Sequence, residues 1–297
     1  MQQFVGTHAL PSCRYERPGD LQQVLELIGA EGNNCKVIAG CTDFIPAVRK
    51  GVWHFDSGVR LVDVRAVEGL RAVEVRDGSL VIGAAVRLSE LASLEAVRAH
   101  ARILAEAVED MGSLQVRNSG TIGGNLCTAS PAADTAPPLL ALGARVRIQG
   151  RDTDRMLPLE EFFTGPGKTV LEPGQLLTEI HIPREAIESG VSNRCKLGVR
   201  KAFTISVIAE AVWLVLREGT VEKARIGLGA VAPTPMRAKK AEEYLAGRAL
   251  TENVARECAD IVSGEVSPIS DLRASESYRR EMAAVLTRRL LRSCAEQ

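Results

Sequence analysis

The sequence predicts a mixed chain of helices and strands in two domains, on three observations. Its 297 residues exceed a single domain of about 150 residues. Short strand and helix signals alternate through the first third of the chain. After residue 192 the pattern changes to a long strand hairpin followed by helices.

The elements follow in order. Asp20 caps a helix through Leu21, Val24, Leu25, Leu27 and Ile28, which Gly32 ends. Residues 36–39 form a short apolar strand. Gly40-Cys41-Thr42-Asp43 is a turn, and the helix after it carries Pro46 in its first turn, where no donor is lost. Residues 60–64 read as a second strand. Residues 70–75 and 80–86 alternate on either side of Arg76-Asp77-Gly78-Ser79, a hairpin signal. Helical periodicity runs from Ser89 to Met111 with a break, and Gly112 stops it. Residues 115–138 stand out as a stretch rich in Gly, Ser, Thr, Asn and Pro in mid-chain. An apolar helix resumes at 139–142, with strands at 145–148 and 176–182, the second closed by Pro183. Residues 184–193 are polar and read as a linker or long loop. Two long strands at 208–216 and 221–231 flank Arg217-Glu218-Gly219-Thr220, and Pro233-Thr234-Pro235 breaks the chain. Residues 238–245, 251–262 and 275–294 are helical.

Composition removes several functions. Lys plus Arg and Asp plus Glu are each 37, and this zero balance argues against a nucleic-acid binder. No run of about 18 apolar residues exists, so no transmembrane segment is expected; Glu210 interrupts the best stretch, 205–216. The N-terminus lacks a basic end followed by an apolar core, so no signal peptide is expected. The seven widely spaced cysteines form no CxxC. That spacing argues for a cytoplasmic chain without a disulfide framework, and against a zinc knuckle or iron–sulfur cluster on this chain. Four histidines (His8, His54, His100, His181) show no ligand spacing, and His181 alternates outward on a strand.

Two turns can carry chemistry: Ala39-Gly40-Cys41-Thr42-Asp43 and Thr121-Ile122-Gly123-Gly124-Asn125. Glycines admit close ligand approach, and consecutive amides can converge on an anion. Together the two could hold a pyrophosphate without a lysine; alone, each is also an ordinary tight turn. Gly165-Pro-Gly-Lys-Thr169 ends like a nucleotide-binding P-loop, but Phe162 stands where the first glycine belongs. Asp134 reads as a helix cap or as an acceptor for cofactor hydroxyls. Lys196, Arg200 and Lys201 read as a solvated face or as the electrostatic partner of a reduced, anionic cofactor ring.

Val37-Ile-Ala-Gly-Cys-Thr-Asp-Phe44, with Gln115-Val-Arg-Asn-Ser-Gly-Thr-Ile-Gly-Gly-Asn-Leu126 and Ala129-Ser-Pro-Ala-Ala-Asp134, resembles the FAD-binding subunit of molybdenum-containing hydroxylases. The resemblance runs almost end to end. Phe163-Thr-Gly-Pro-Gly-Lys168, Val231-Ala-Pro-Thr-Pro-Met-Arg237 and Leu272-Arg-Ala-Ser275 look most like the bacterial xanthine dehydrogenase branch. It implies an α+β fold: a two-lobed, vanillyl-alcohol-oxidase-like (PCMH-type) FAD-binding domain at 1–183, with lobes of about 1–56 and 57–183. A small α+β C-terminal domain with an antiparallel sheet and helices follows at 192–297.

The resemblance also assigns roles. Val37, Ile38, Ala39, Gly40, Cys41, Thr42, Asp43 and Phe44 would form one side of the FAD site, and Thr121, Ile122, Gly123, Gly124 and Asn125 the other, with the pyrophosphate between them. Asp134 would sit near the ribityl chain or ring, Leu177 would line the flavin and Lys196 would lie close to it. Met111 and Gly112 would approach the cofactor. A large subunit would carry the molybdenum cofactor and a small one [2Fe–2S] clusters. Electrons would run through FAD to NAD or oxygen, and the substrate would be a purine such as xanthine. A flavin-free assembly subunit and a stand-alone flavin oxidoreductase are the alternatives. Two departures stand out. Many relatives have glycine where this chain has Cys41, whose Cβ limits φ, so a reshaped turn and looser FAD are expected. Ala202-Phe203-Thr204 replaces acidic residues common after the basic pair.

Overall fold

A computed structural model describes residues 12–31, 34–52, 58–200 and 203–296. Gly32, His8, His54, Lys201 and Ala202 lie outside the described residues.

The chain starts with β1 (Cys13–Glu16), α1 (Leu21–Glu31), β2 (Cys35–Ile38), α2 (Phe44–Arg49) and β3 (Val59–Asp63). The Gln23 amide donates to Asp20 Oδ1 at 2.9 Å, the cap that the sequence predicts for α1. These strands form a parallel sheet in the order β1-β3-β2. Val24 and Ile28 of α1 pack with Val62 and Val64 to cover it.

A hairpin follows, β4 (Val73–Arg76) and β5 (Ser79–Gly83). Asp77 and Gly78 both take positive φ, the two-residue turn that matches strand twist. The helical stretch to Met111 is three helices: α3 (Leu88–Ser93), α4 (Glu95–His100) and α5 (Arg102–Glu109). Leu94 and Ala101 break it with non-helical backbone. The polar mid-chain stretch is helical as well, as α6 (Leu114–Ser119), α7 (Ile122–Thr128) and α8 (Ala136–Ala141). A Ser and a Thr cap the first two of these helices: Ser113 accepts from the Val116 amide and Thr121 from the Gly124 amide, each at 3.1 Å. Pro137 and Pro138 sit in the first turn of α8, where proline removes no helical bond.

Next come β6 (Arg145–Gly150), β7 (Thr153–Pro158), β8 (Phe163–Gly165), β9 (Lys168–Thr169) and β10 (Gln175–Ile182). The P-loop-like sequence is the turn between β8 and β9, with Gly167 at φ 70°. Strand β10 is central in a five-stranded antiparallel sheet ordered β4-β5-β10-β6-β7. Leu80, Ile82, Ile148 and Ile180 from this sheet share one core with Leu88, Leu104, Leu126 and Leu139 from the helices. Each such side chain contributes about 1.5–3 kcal/mol by leaving water.

Residues 184–193 are not a linker. They hold α9 (Arg184–Glu188) and the start of β11 (Val191–Leu197). Strand β11 is an edge strand with every residue only partly buried, so it shows no apolar run. Strands β12 (Ile208–Arg217), β13 (Thr220–Gly229) and β14 (Met236–Arg237) complete an antiparallel sheet ordered β11-β12-β13-β14. Helices α10 (Lys239–Leu245), α11 (Glu252–Glu265) and α12 (Glu276–Ala295) close the chain. They pack on one face of that sheet through Val212, Leu214, Val262 and Leu291. Ala211 and Trp213 belong instead to the core of the preceding domain. A Cβ on Gly227 would lie 2.2 Å from the Pro137 carbonyl, so only glycine lets β13 approach α8 this closely.

Candidate functional site

A cavity of about 540 Å³ lies where four segments meet: the Val37–Phe44 stretch, helices α6 and α7, residues 130–134, and residues 203–205. Strand β2 delivers the first turn at its carboxyl end, the end of a parallel strand at which ligands bind in open sheets. Gly40 sets the closest approach: a Cβ there would lie 2.0 Å from the Ser119 carbonyl and 2.6 Å from Gly120 Cα. Thr128 Oγ1 donates to Asp43 Oδ2 at 3.2 Å and ties the first turn to the end of α7.

Cys41 adopts φ 56°, the left-handed conformation that glycine takes easily. Cys41 holds this conformation despite its Cβ, so strain is stored in the turn. Burial pushes the Cys41 thiol up from its ordinary value. Cys41→Gly should stabilise the chain by about 1 kcal/mol, the released strain less the entropy of a freer unfolded chain. The denaturant midpoint measures this, and an unchanged or lower midpoint would contradict it.

The two turns present their amides differently. Among the described residues, the amides of Cys41, Thr42 and Asp43 donate to no protein acceptor. In the second turn the chain itself uses the amides. Ile122 donates to Val86, Gly123 to Ala84, Gly124 to Thr121 Oγ1 and Asn125 to the Thr121 carbonyl. Ile122 and Gly123 are buried in the first turn of α7, while Thr121, Gly124 and Asn125 reach the cavity. Asn125 Oδ1 accepts from Thr135 Oγ1 at 2.6 Å, which fixes the amide plane.

Asp134 does not cap α8, whose N-cap is Thr135. It faces the cavity with both carboxylate oxygens already engaged. Ser206 Oγ donates to Oδ1 at 2.5 Å and Lys196 Nζ to Oδ2 at 2.7 Å. Lys196 also donates to the Asp110 carbonyl at 3.1 Å. With 7% of its side chain exposed, it stands behind the cavity wall, not on it. Arg200 is occupied locally, donating to the Phe203 carbonyl. Leu177 is 2% exposed in the core, paired with Ile148 on the central strand, and does not line the cavity. Met111 and Gly112 do line it, held by Arg117 Nη1, which donates to the Met111 carbonyl at 2.9 Å.

Leu88, Cys127, Thr128 and Ile205 also line the cavity with no sequence signal for it, while Val116 and Phe203 stand in segments singled out by the sequence without an assigned place in the site. Phe203 and Ile205 are 57% and 54% exposed, an unusual state for large apolar side chains beside a concave surface. The cavity thus offers unpaired amides for an anion, apolar walls for a ring and a few fixed polar groups, a donor set that fits a flavin dinucleotide. Among the described residues no group of His, Cys, Asp or Glu could hold a metal ion.

Comparison with known proteins agrees with this geometry. Residues 11–185 match the family of FAD binding domains in molybdopterin dehydrogenase, and residues 194–294 the CO dehydrogenase flavoprotein C-terminal domain. The chain is 31% identical to the xanthine dehydrogenase FAD-binding subunit of Escherichia coli O157:H7, over 93% of this chain and 94% of that one. It is 30% identical to the carbon monoxide dehydrogenase medium chain of Hydrogenophaga pseudoflava, over 95% and 96%. Among solved structures, quinoline 2-oxidoreductase from Pseudomonas putida 86 superposes with a TM-score of 0.89 at 27% identity, covering 97% of this chain and 98% of that one. A carbon monoxide dehydrogenase from Hydrogenophaga pseudoflava also gives 0.89, at 30% identity, covering 96% and 98%. Family models, sequence identity and superposition agree: this chain belongs to the FAD-binding medium-subunit family of the molybdenum hydroxylases.

Proposed function

We propose that the cavity holds FAD, and that the chain passes electrons from [2Fe–2S] clusters on a small partner subunit through that FAD to NAD or oxygen. A large partner would carry the molybdenum cofactor and oxidise the substrate, a purine such as xanthine. The observation that carries the reading is the approach of the Gly40–Asp43 turn to residues 119–128 around one cavity.

The amides of Cys41, Thr42 and Asp43 hold the pyrophosphate, on the supporting observation that they have no protein acceptor. Val37, Val116 and Leu88 exclude water from one wall, and Phe203 with Ile205 from another. Asp134 keeps its place through Ser206 and Lys196, so the positive charge reaches the cofactor only across the carboxylate. Bound FAD supplies a carrier that takes electrons singly and delivers them in pairs. The chain divides into the FAD-binding domain at 1–183, in lobes of about 1–56 and 57–183, and the C-terminal domain at 192–297. The four-stranded sheet supports the C-terminal domain, and the pairing of β3 with β1 and β2 carries the first lobe past residue 56 to about residue 63. Exposed Phe203 and Ile205 beside the cavity support a hetero-oligomer. Among the described residues Cys13, Cys41, Cys127, Cys195, Cys258 and Cys294 form no disulfide, which supports a cytoplasmic location. Among the described residues no helix is long and apolar enough to cross a membrane.

Anaerobic reduction tests the route. In the assembled complex xanthine should bleach the visible flavin band, while the isolated chain with FAD should stay oxidised. Bleaching of the complex by carbon monoxide and not by xanthine would replace the purine assignment.

A further inference from the structure

Arg279 of α12 lies far from the motifs that define the cavity, yet its contacts lead to the cavity wall. Its side chain is buried, with the residue 3% exposed. Nη1 donates to the Val207 carbonyl at 2.6 Å and to the Ala230 carbonyl at 3.0 Å, and Nη2 donates to Asp271 Oδ1 at 2.8 Å. Asp271 is fixed in turn by the Arg273 and Ala274 amides, at 2.8 and 3.2 Å. The Asp271–Ser275 loop that carries these bonds is otherwise unused by the proposed chemistry.

One carbonyl held by Arg279 belongs to Ala230, which fixes one end of the 131–134 segment, and the other to Val207, the neighbour of the residue that fixes the other end. The Ala230 amide donates to the Pro131 carbonyl at 2.7 Å. Ser206, one residue before Val207, donates to Asp134. The Val207 amide donates to the Leu197 carbonyl at 2.8 Å, next to Lys196, the second residue on Asp134. Residues 132–134 line the cavity. A planar guanidinium can bridge two carbonyls and a carboxylate at once, which an ammonium cannot do with the same geometry.

We propose that Arg279, oriented by Asp271, is a positioning residue for the FAD cavity, holding the 131–134 wall in place through Val207 and Ala230. It touches neither the cavity nor the cofactor. The inference rests on the assignment of the cavity to FAD.

The test uses the full chain with FAD alone. Flavin fluorescence gives the dissociation constant, visible circular dichroism reports the asymmetry around the bound ring, and a thermal midpoint reports stability. Arg279→Lys should weaken FAD binding about tenfold and alter the dichroism of the flavin that still binds. Ser206→Ala should do the same, and the double variant should fall short of the product of the two, because both act through Asp134. If Arg279→Lys does not fold, Asp271→Asn keeps both carbonyl contacts and should change affinity and dichroism in the same direction by a smaller factor. A lowered midpoint with unchanged affinity and dichroism would overturn the proposal, as would a double variant whose effects multiply. A parent chain that takes up no FAD would instead overturn the cavity assignment, and the proposal with it.

Discussion

Gly40→Ala should release the flavin. The added Cβ would sit 2.0 Å from the Ser119 carbonyl and 2.6 Å from Gly120 Cα, both backbone atoms that cannot swing aside. The turn must retreat from α6 by more than an ångström, which moves the unpaired amides of Cys41, Thr42 and Asp43 away from the opposite wall. Gly40 is not among the residues with positive φ, so the effect is steric and not conformational. We expect FAD affinity to fall by ~100-fold and stability by about 2–3 kcal/mol, in the range of core overpacking. Equilibrium titration and denaturant unfolding measure the two separately. Retention of one FAD per chain with unchanged affinity would show that the two turns do not need this approach.

The second large effect lies in the C-terminal core. Glu210 is 1% exposed, and burial pushes its carboxyl up to about 8 against a weaker downward effect of Thr287. The geometry favours the same protonation state. Thr287 Oγ1 lies 2.6 Å from Glu210 Oε1 and 2.8 Å from the Ala283 carbonyl. A hydroxyl has one proton, so both contacts are hydrogen bonds only if the carboxyl carries its own. The folded state thus binds this proton more tightly than the unfolded chain, whose carboxyl titrates near 4.5. Glu210's contribution is full below that value and is lost as pH rises through about 8. The loss between pH 5 and 9 should be on the order of 4 kcal/mol. Glu210→Gln keeps the shape without the charge. It should remove that slope and leave the variant more stable than the parent at pH 9. Parallel pH profiles for parent and variant would contradict the assignment.

The sequence revealed the parts of the site that are written locally. The first turn was legible because Gly40, Thr42 and Asp43 directly follow an apolar strand. The second was legible as a long motif, but a motif does not separate its tasks. Ile122 and Gly123 serve packing against Val86 and Ala84, while Thr121, Gly124 and Asn125 reach the cavity. Only folding brings Phe203 and Ile205 to the same wall, from a different domain, and their local sequence does not show that they meet the cavity. Strands β7 and β11 were missed for one reason. Both are edge strands with polar, partly exposed side chains, and β7 presents Asp154 to Arg147 across the ladder. Helices α6 and α7 were hidden because so much of each short helix is cap and turn.

Titration of the flavin-free chain with FAD tests the central claim most directly, read by quenching of flavin fluorescence and by chromatography of the cofactor released on heating. The account predicts saturation at one FAD per chain, with tighter binding to the parent than to Gly40→Ala. A colourless chain that takes up no FAD, or one that binds it equally well with Gly40 replaced, would contradict it.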